Sequence, residues 1–170
     1  MTKPDFLQIV SKQDLDQVEV FGNLDEDRSG GILICMPNGI YVFGGSKFSK
    51  QPFLNGPIIS KFLENGSNVW TNGPNFPHEL YVHIERYYTS FEISAGHRIS
   101  NDEFILIMNR YVFKYNINRK SWSYFFKLQH CRRLACSFVC HNLLFIAGGY
   151  EISSGNILDS TEIVHWTLLV

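Results

Sequence analysis

Pro37-Asn38-Gly39-Ile40-Tyr41-Val42-Phe43-Gly44-Gly45 decides how this chain is read. Asn38-Gly39 suits a two-residue hairpin turn, because both residues tolerate positive φ. Ile40 to Phe43 is a continuous apolar run, too short for a helix and bounded by breakers. That pattern predicts a strand buried on both faces. Gly44 and Gly45 allow a sharp exit, or a close approach of another segment that a Cβ would block. A second copy stands at His141-Asn142-Leu143-Leu144-Phe145-Ile146-Ala147-Gly148-Gly149. One copy alone reads as an ordinary hairpin. Two copies point to a repeat architecture.

Outward from these copies the chain breaks into short apolar stretches separated by Gly, Pro, Asn and Ser. Strands are predicted at 6–10, 18–21, 32–36, 40–43, 58–63, 68–71, 89–94, 104–108, 111–115, 121–126, 135–140, 143–147 and 161–166. Residues 95–102 read as a polar connection. No long segment shows helical periodicity, so the fold class is all-β. Trp70 and Trp122 lie 52 residues apart (122 − 70), and Gly44 and Gly148 lie 104 apart (148 − 44), twice that spacing. A period of about 50 residues with four strands per unit is the signature of kelch propeller blades.

Composition narrows the function. The 170 residues carry 45% hydrophobic and 15% aromatic residues, enough for a folded core. A net charge of −1 gives no electrostatic basis for a nucleic-acid or membrane-surface partner. No apolar run reaches the roughly 20 residues of a membrane helix. The start, Met1-Thr2-Lys3-Pro4-Asp5-Phe6, has no apolar h-region, so a cytoplasmic location is expected. In that setting Cys35, Cys131, Cys136 and Cys140 are expected to be reduced and buried. Asn65-Gly66-Ser67 matches a glycosylation sequon but reads as a turn.

The sequence resembles the kelch-repeat family over roughly residues 28–167. The first unit carries Arg28, Gly44, Gly45, Phe62 in place of the family's Tyr, and Trp70. The second carries Arg86, Tyr115 and Trp122, with Met108-Asn109-Arg110 where Gly-Gly is expected. The third carries Arg133, Gly148, Gly149 and Ser160-Thr161-Glu162-Ile163-Val164, with Trp166 near its end and no clear fourth strand. The resemblance implies a partial kelch-type β-propeller of about three four-stranded blades. Its parts are 1–27 (two strands of a preceding blade), 28–85, a degenerate unit at 86–131, and an incomplete one at 132–170. In such a blade Trp and Tyr fill the wedge between sheets. The Arg offers its donors to carbonyls freed where blades meet.

Closed propellers use 4–8 blades, so the chain is expected to be a fragment or to cover its open sheet by self-association or by packing with missing blades. Alternatively, the N-terminal strands fold back and close it. The best metal candidates are His130, Cys131, Cys136, Cys140 and His141. However, Cys136 and Cys140 share one predicted strand about 13 Å apart, so neither a metal nor another cofactor is expected. Glu79, Glu85, Glu92 and His97 are scattered without the spacing of an acid–base pair. No phosphate-cradling loop or Gly-x-Ser-x-Gly nucleophile is present. The expected function is a non-enzymatic protein–protein interaction module, recruiting a substrate to a ubiquitin ligase or binding actin. The alternative is an enzyme on a kelch-like propeller, an oxidase or a sugar-modifying enzyme. The resemblance places partner contacts on the loops after the Gly-Gly pair and before the first strand. These are Ser46, Lys47, Tyr88, Asn109, Arg110, Tyr150 and Glu151.

Overall fold

The computed structural model describes residues 8–10, 18–20, 24, 29–46, 60–77, 79–80, 93–151 and 153–166. These residues form antiparallel sheets with no α-helix among them, and no sheet closes on itself. Among the described residues, strands β1 (Gln8–Val10) and β2 (Val18–Val20) pair only with each other. The first four-stranded sheet is a meander of β3 (Ser29–Met36), β4 (Gly39–Ser46), β5 (Ser60–Glu64) and β6 (Thr71–Asn72). The second repeats that order with β7 (Ile93–Arg98), β8 (Glu103–Met108), β9 (Tyr111–Asn116) and β10 (Ser121–Lys127). The short strand β11 (Arg132–Arg133) leads into a third sheet of β12 (Cys136–Cys140), β13 (Leu143–Ala147) and β15 (Thr161–His165). Between the last two, β14 (Tyr150–Glu151) pairs back on β11.

The local chemistry of the turns explains the hairpins, with one adjustment. Met36 pairs with Gly39, so the central turn residues are Pro37 and Asn38, not Asn38 and Gly39. Pro37 presets φ for the first turn position. Two further two-residue turns, at Asn109-Arg110 and His141-Asn142, use a positive φ at Asn109 and His141 instead. Asn65 caps the first hairpin: its Nδ2 donates to Pro37 O at 2.6 Å and its N–H to Asn38 O at 3.2 Å. The sequon thus belongs to a turn.

The three sheets stack face to face. One face of β8 (Phe104, Leu106, Met108) joins Tyr111, Phe113 and Tyr115 of β9 against Ile34, Met36, Tyr41 and Phe43 of the first sheet. The opposite face, Ile105 and Ile107 with Val112, packs against Leu144 and Ile146 of the third. Trp122 sits in the first wedge, 5.7 Å from the rings of Phe43 and Phe104 and 4.9 Å from Tyr115. Trp166 packs into the second wedge. Trp70 packs on Val42 and Leu63, the face of the first sheet turned away from the second. Trp122 and Trp166 thus fill the wedges toward the preceding sheet, and Trp70, 52 residues before Trp122, lies on the corresponding face of its own sheet. Neither the Trp70 nor the Trp122 indole N–H has a hydrogen-bond partner among the described residues. Apolar area alone holds these rings in place.

The first half of the polar connection expected at 95–102, Ala95 to Arg98, is strand, and only 99–102 turns. The reason lies in tertiary packing. A Cβ on Gly96 would stand 2.7 Å from Ile34 Cδ1, so β7 runs against β3 only because it is small there. His97 Nε2 lies 2.8 Å from Ser137 Oγ, linking β7 to β12. The strand expected around Trp70 shrinks to two residues beyond it. The cysteines also depart from expectation. Cys131 is buried, but Cys35, Cys136 and Cys140 are exposed, and all four are free thiols. Cys136 and Cys140 alternate onto the face of β12 turned away from the core.

Phe104→Ala should lower stability by about 3–5 kcal/mol, read as a shift of the urea midpoint. Phe138→Ala, at a side chain 56% exposed, should move it little. Burial holds the His97 imidazole below its usual value, so the unfolded chain binds more protons as pH drops through 6.5. Stability should therefore fall on acidification from pH 6.5, and His97→Gln should flatten that slope in urea titrations.

Candidate functional site

The end of the stack that carries the long connections is organised by one buried cation. Arg132 is 1% exposed. Its Nε donates to Glu162 Oε1 at 3.0 Å, Nη1 to Gly148 O at 2.9 Å and Ser160 O at 2.8 Å, and Nη2 to Ser160 Oγ at 2.9 Å. Glu162 also accepts the backbone N–H of Gln129 at 2.6 Å and of His130 at 3.1 Å. A planar guanidinium with five donors suits this fan of acceptors, which a lysine would not reach. The main chain of Arg132 accepts from Ser94 Oγ at 3.3 Å, joining the cluster to the second sheet.

This role was expected of Arg133. Arg133 instead lies half-buried in β11, paired with Tyr150, and its neighbour turns inward. In a two-residue strand the alternation of side chains decides which arginine enters the core, and the sequence Arg132-Arg133 offers no way to tell. Gly149 makes the cluster possible. Its φ is +82°, and a Cβ would stand 2.4 Å from Arg133 O. Gly148 also takes a positive φ of +67°, but a Cβ there would meet only Leu158 O at 3.8 Å.

The sequence-predicted contacts fall as follows. Asn109 and Arg110 form the β8–β9 turn. Asn109 is buried, and its amide nitrogen has no hydrogen-bond partner among the described residues. It lines a cavity of about 10 Å³ between the second and third sheets together with Ser94, Arg132 and Ser137, space on the order of a single water. The Arg110 guanidinium stands 5.9 Å from the centre of the Tyr111 ring. Tyr150 and Glu151 are half-buried in β14. Glu151 accepts from Ser154 Oγ at 2.9 Å and stands 3.7 Å from His130 Nδ1. Ser46 ends β4, and Gly44 and Gly45 precede it in the same strand. Arg28, Lys47, Arg86 and Tyr88 lie outside the described residues. The connections bearing Asn109, Arg110, Tyr150 and Glu151 all leave the second strand of their sheet, so they share one end of the stack.

Two residues at this end were not singled out from the sequence. Leu134 is 86% exposed and Ile157 is 89% exposed. They bracket β11 and β14: Leu134 follows Arg133 with φ +52°, and Ile157 bridges to Tyr150. An isolated Leu between Arg133 and Ala135 carries no pattern that marks it as exposed. Among the described residues no three His, Cys, Asp or Glu side chains converge as metal ligands. Among those residues, too, no helix is long and apolar enough to cross a membrane. No protein-family model matches the chain, and no curated protein matches it.

Breaking a buried ion pair leaves an uncompensated charge, so Arg132→Ala should cost about 3–5 kcal/mol. Arg132→Lys should recover less than half of that loss in chemical denaturation. Gly149→Ala should lower the melting temperature more than Gly148→Ala, since only the first would drive a Cβ into a clash with backbone, whereas the second meets it at ordinary contact distance.

Proposed function

We propose that the chain is a non-enzymatic protein-interaction module whose three meanders are consecutive blades of a kelch-type β-propeller. Three observations support the architecture. Successive sheets share one strand order. Their first strands lie side by side, β3 against β7 and β7 against β12. Trp122 and Trp166 sit in the wedges toward the preceding sheet, and Trp70 lies on the corresponding face of its own sheet. The observation that carries the binding role is the pair Leu134 and Ile157, aliphatic side chains almost wholly in water on a backbone fixed by the Arg132 cluster. Large apolar residues presented on a rigid polar frame are what a protein partner buries. The Asn109-Arg110 turn, Tyr150 and Glu151 form the polar surround; the kelch resemblance adds Ser46, and also Lys47 and Tyr88, which lie outside the described residues. Recruiting a substrate to a ubiquitin ligase and binding actin are the two roles that the kelch resemblance suggests for it.

The test is affinity capture from cell extract with the wild type and a Leu134→Asp/Ile157→Asp double variant. Asp tolerates the left-handed backbone at 134, so the melting temperature should stay close to wild type. The double variant should lose the proteins that the wild type retains. Capture of the same proteins by both would remove this surface as the partner site.

A further inference from the structure

Asn-Gly stands at 38–39, 65–66 and 72–73 among the described residues, and a fourth pair, Asn55-Gly56, lies outside them. In each pair the glycine main-chain nitrogen is one ring closure away from the asparagine side-chain carbonyl carbon. Glycine has no Cβ to hinder that approach. The structure treats the three pairs differently. Gly73 N–H donates to Ser60 O at 3.0 Å, and a Cβ on Gly73 would stand 2.7 Å from Ser60 Oγ, so this nitrogen is held. Asn72 pairs with Lys61 in β6. Gly39 is buried in the ladder, paired with Met36 on one side and Glu64 on the other, and Asn38 Nδ2 donates to Tyr41 Oη at 3.0 Å.

Asn65 and Gly66 are both exposed and lie outside any ladder. Ser67 N–H donates to Glu64 O at 3.0 Å, which closes a turn with Asn65 and Gly66 at its centre. Gly66 takes a φ of +78°, and no described atom stands within 4 Å of the place a Cβ would occupy. The turn bond does not use the Gly66 N–H. The restraint falls on the asparagine, whose Nδ2 donates to Pro37 O at 2.6 Å. One exposed hydrogen bond slows a reaction by about tenfold at most. The nitrogens of Gly39 and Gly73 come free only when strand pairing or loop packing opens.

We propose that Asn65 is a site of spontaneous deamidation, with water as the co-reactant. Gly66 N attacks Asn65 Cγ and gives up its proton, and Nδ2 departs as ammonia, leaving a five-membered succinimide. Water then opens the ring at one of its two carbonyls, giving aspartate or isoaspartate at 65. Either product is a carboxylate, which accepts hydrogen bonds and cannot donate to Pro37 O. The isoaspartate also adds a methylene to the main chain, between the Asn65 N–H that donates to Asn38 O and the Ser67 N–H that closes the turn. The modification therefore unties the β5–β6 connection from the β3–β4 turn. These turns lie at the end of the stack opposite the proposed partner surface, so the site is separate from that reading.

The test is incubation of the folded chain at near-neutral pH and physiological temperature, followed by peptide mapping with mass spectrometry that resolves isoaspartate. Aspartate and isoaspartate should accumulate at 65 about tenfold faster than at 38 or 72. The same chain unfolded in urea should react at the three positions at similar rates, which separates the effect of the fold from that of the Asn-Gly sequence. Conversion at 38 or 72 as fast as at 65 in the folded chain would overturn the proposal. So would an unchanged Asn65 in the folded chain beside a reacting one in urea. Asn65→Asp reproduces the aspartate product and should lower the melting temperature; an unchanged melting temperature would overturn the structural consequence.

Discussion

Phe104 to Met108 are five consecutive apolar side chains, each at most 2% exposed. A single strand can bury every residue only if a sheet covers each of its faces. That demand fixes the positions of all three meanders. Phe104, Leu106 and Met108 claim the first sheet, and Ile105 and Ile107 claim the third. The aromatic wedge around Trp122 and the aliphatic wedge around Leu144 follow from the same requirement. So does the contact of β7 with β3, which Gly96 permits by leaving room for Ile34.

The third sheet is held by different physics. Its inner face is apolar, but its loop end is tied by Arg132 and Glu162, both withdrawn from water. Desolvating such a pair is costly, and the geometry offsets that cost with backbone acceptors and donors on every side. The cluster connects the 128–133 segment, the Gly148-Gly149 exit and the start of β15 in one network. It also gives the loop end a fixed backbone from which Leu134 and Ile157 project. Rigidity there would reduce the entropy cost of binding the proposed partner.

The candidate site was partly legible in the sequence. The Gly-Gly exits were marked by residues with special backbone preferences, and such preferences act locally. Asn109, Arg110, Tyr150 and Glu151 were named through the kelch resemblance, from their positions at or after the expected exits. Arg132 was displaced by one residue, because two adjacent arginines are equivalent until a strand decides which points inward. Leu134 and Ile157 were missed altogether. Their exposure results from where β11 and β14 sit, and a single aliphatic residue in a loop gives no sign of it.

The sequence by itself determined the strand-and-turn alternation, the all-β class and the repeat of the unit. These rest on hydrophobic runs and turn residues, whose influence extends only a few positions. It could not determine which residues of 95–102 were strand, because Ala95, Gly96 and His97 are small or polar for the sake of a neighbouring sheet. Nor could it show that Cys136 and Cys140 face water while Leu144 and Ile146 do not. Both pairs alternate on apolar-looking strands, and only the presence of the second sheet on one side distinguishes the faces. The tertiary structure decided burial and the choice of Arg132, because each depends on what lies across from a residue rather than beside it in the chain.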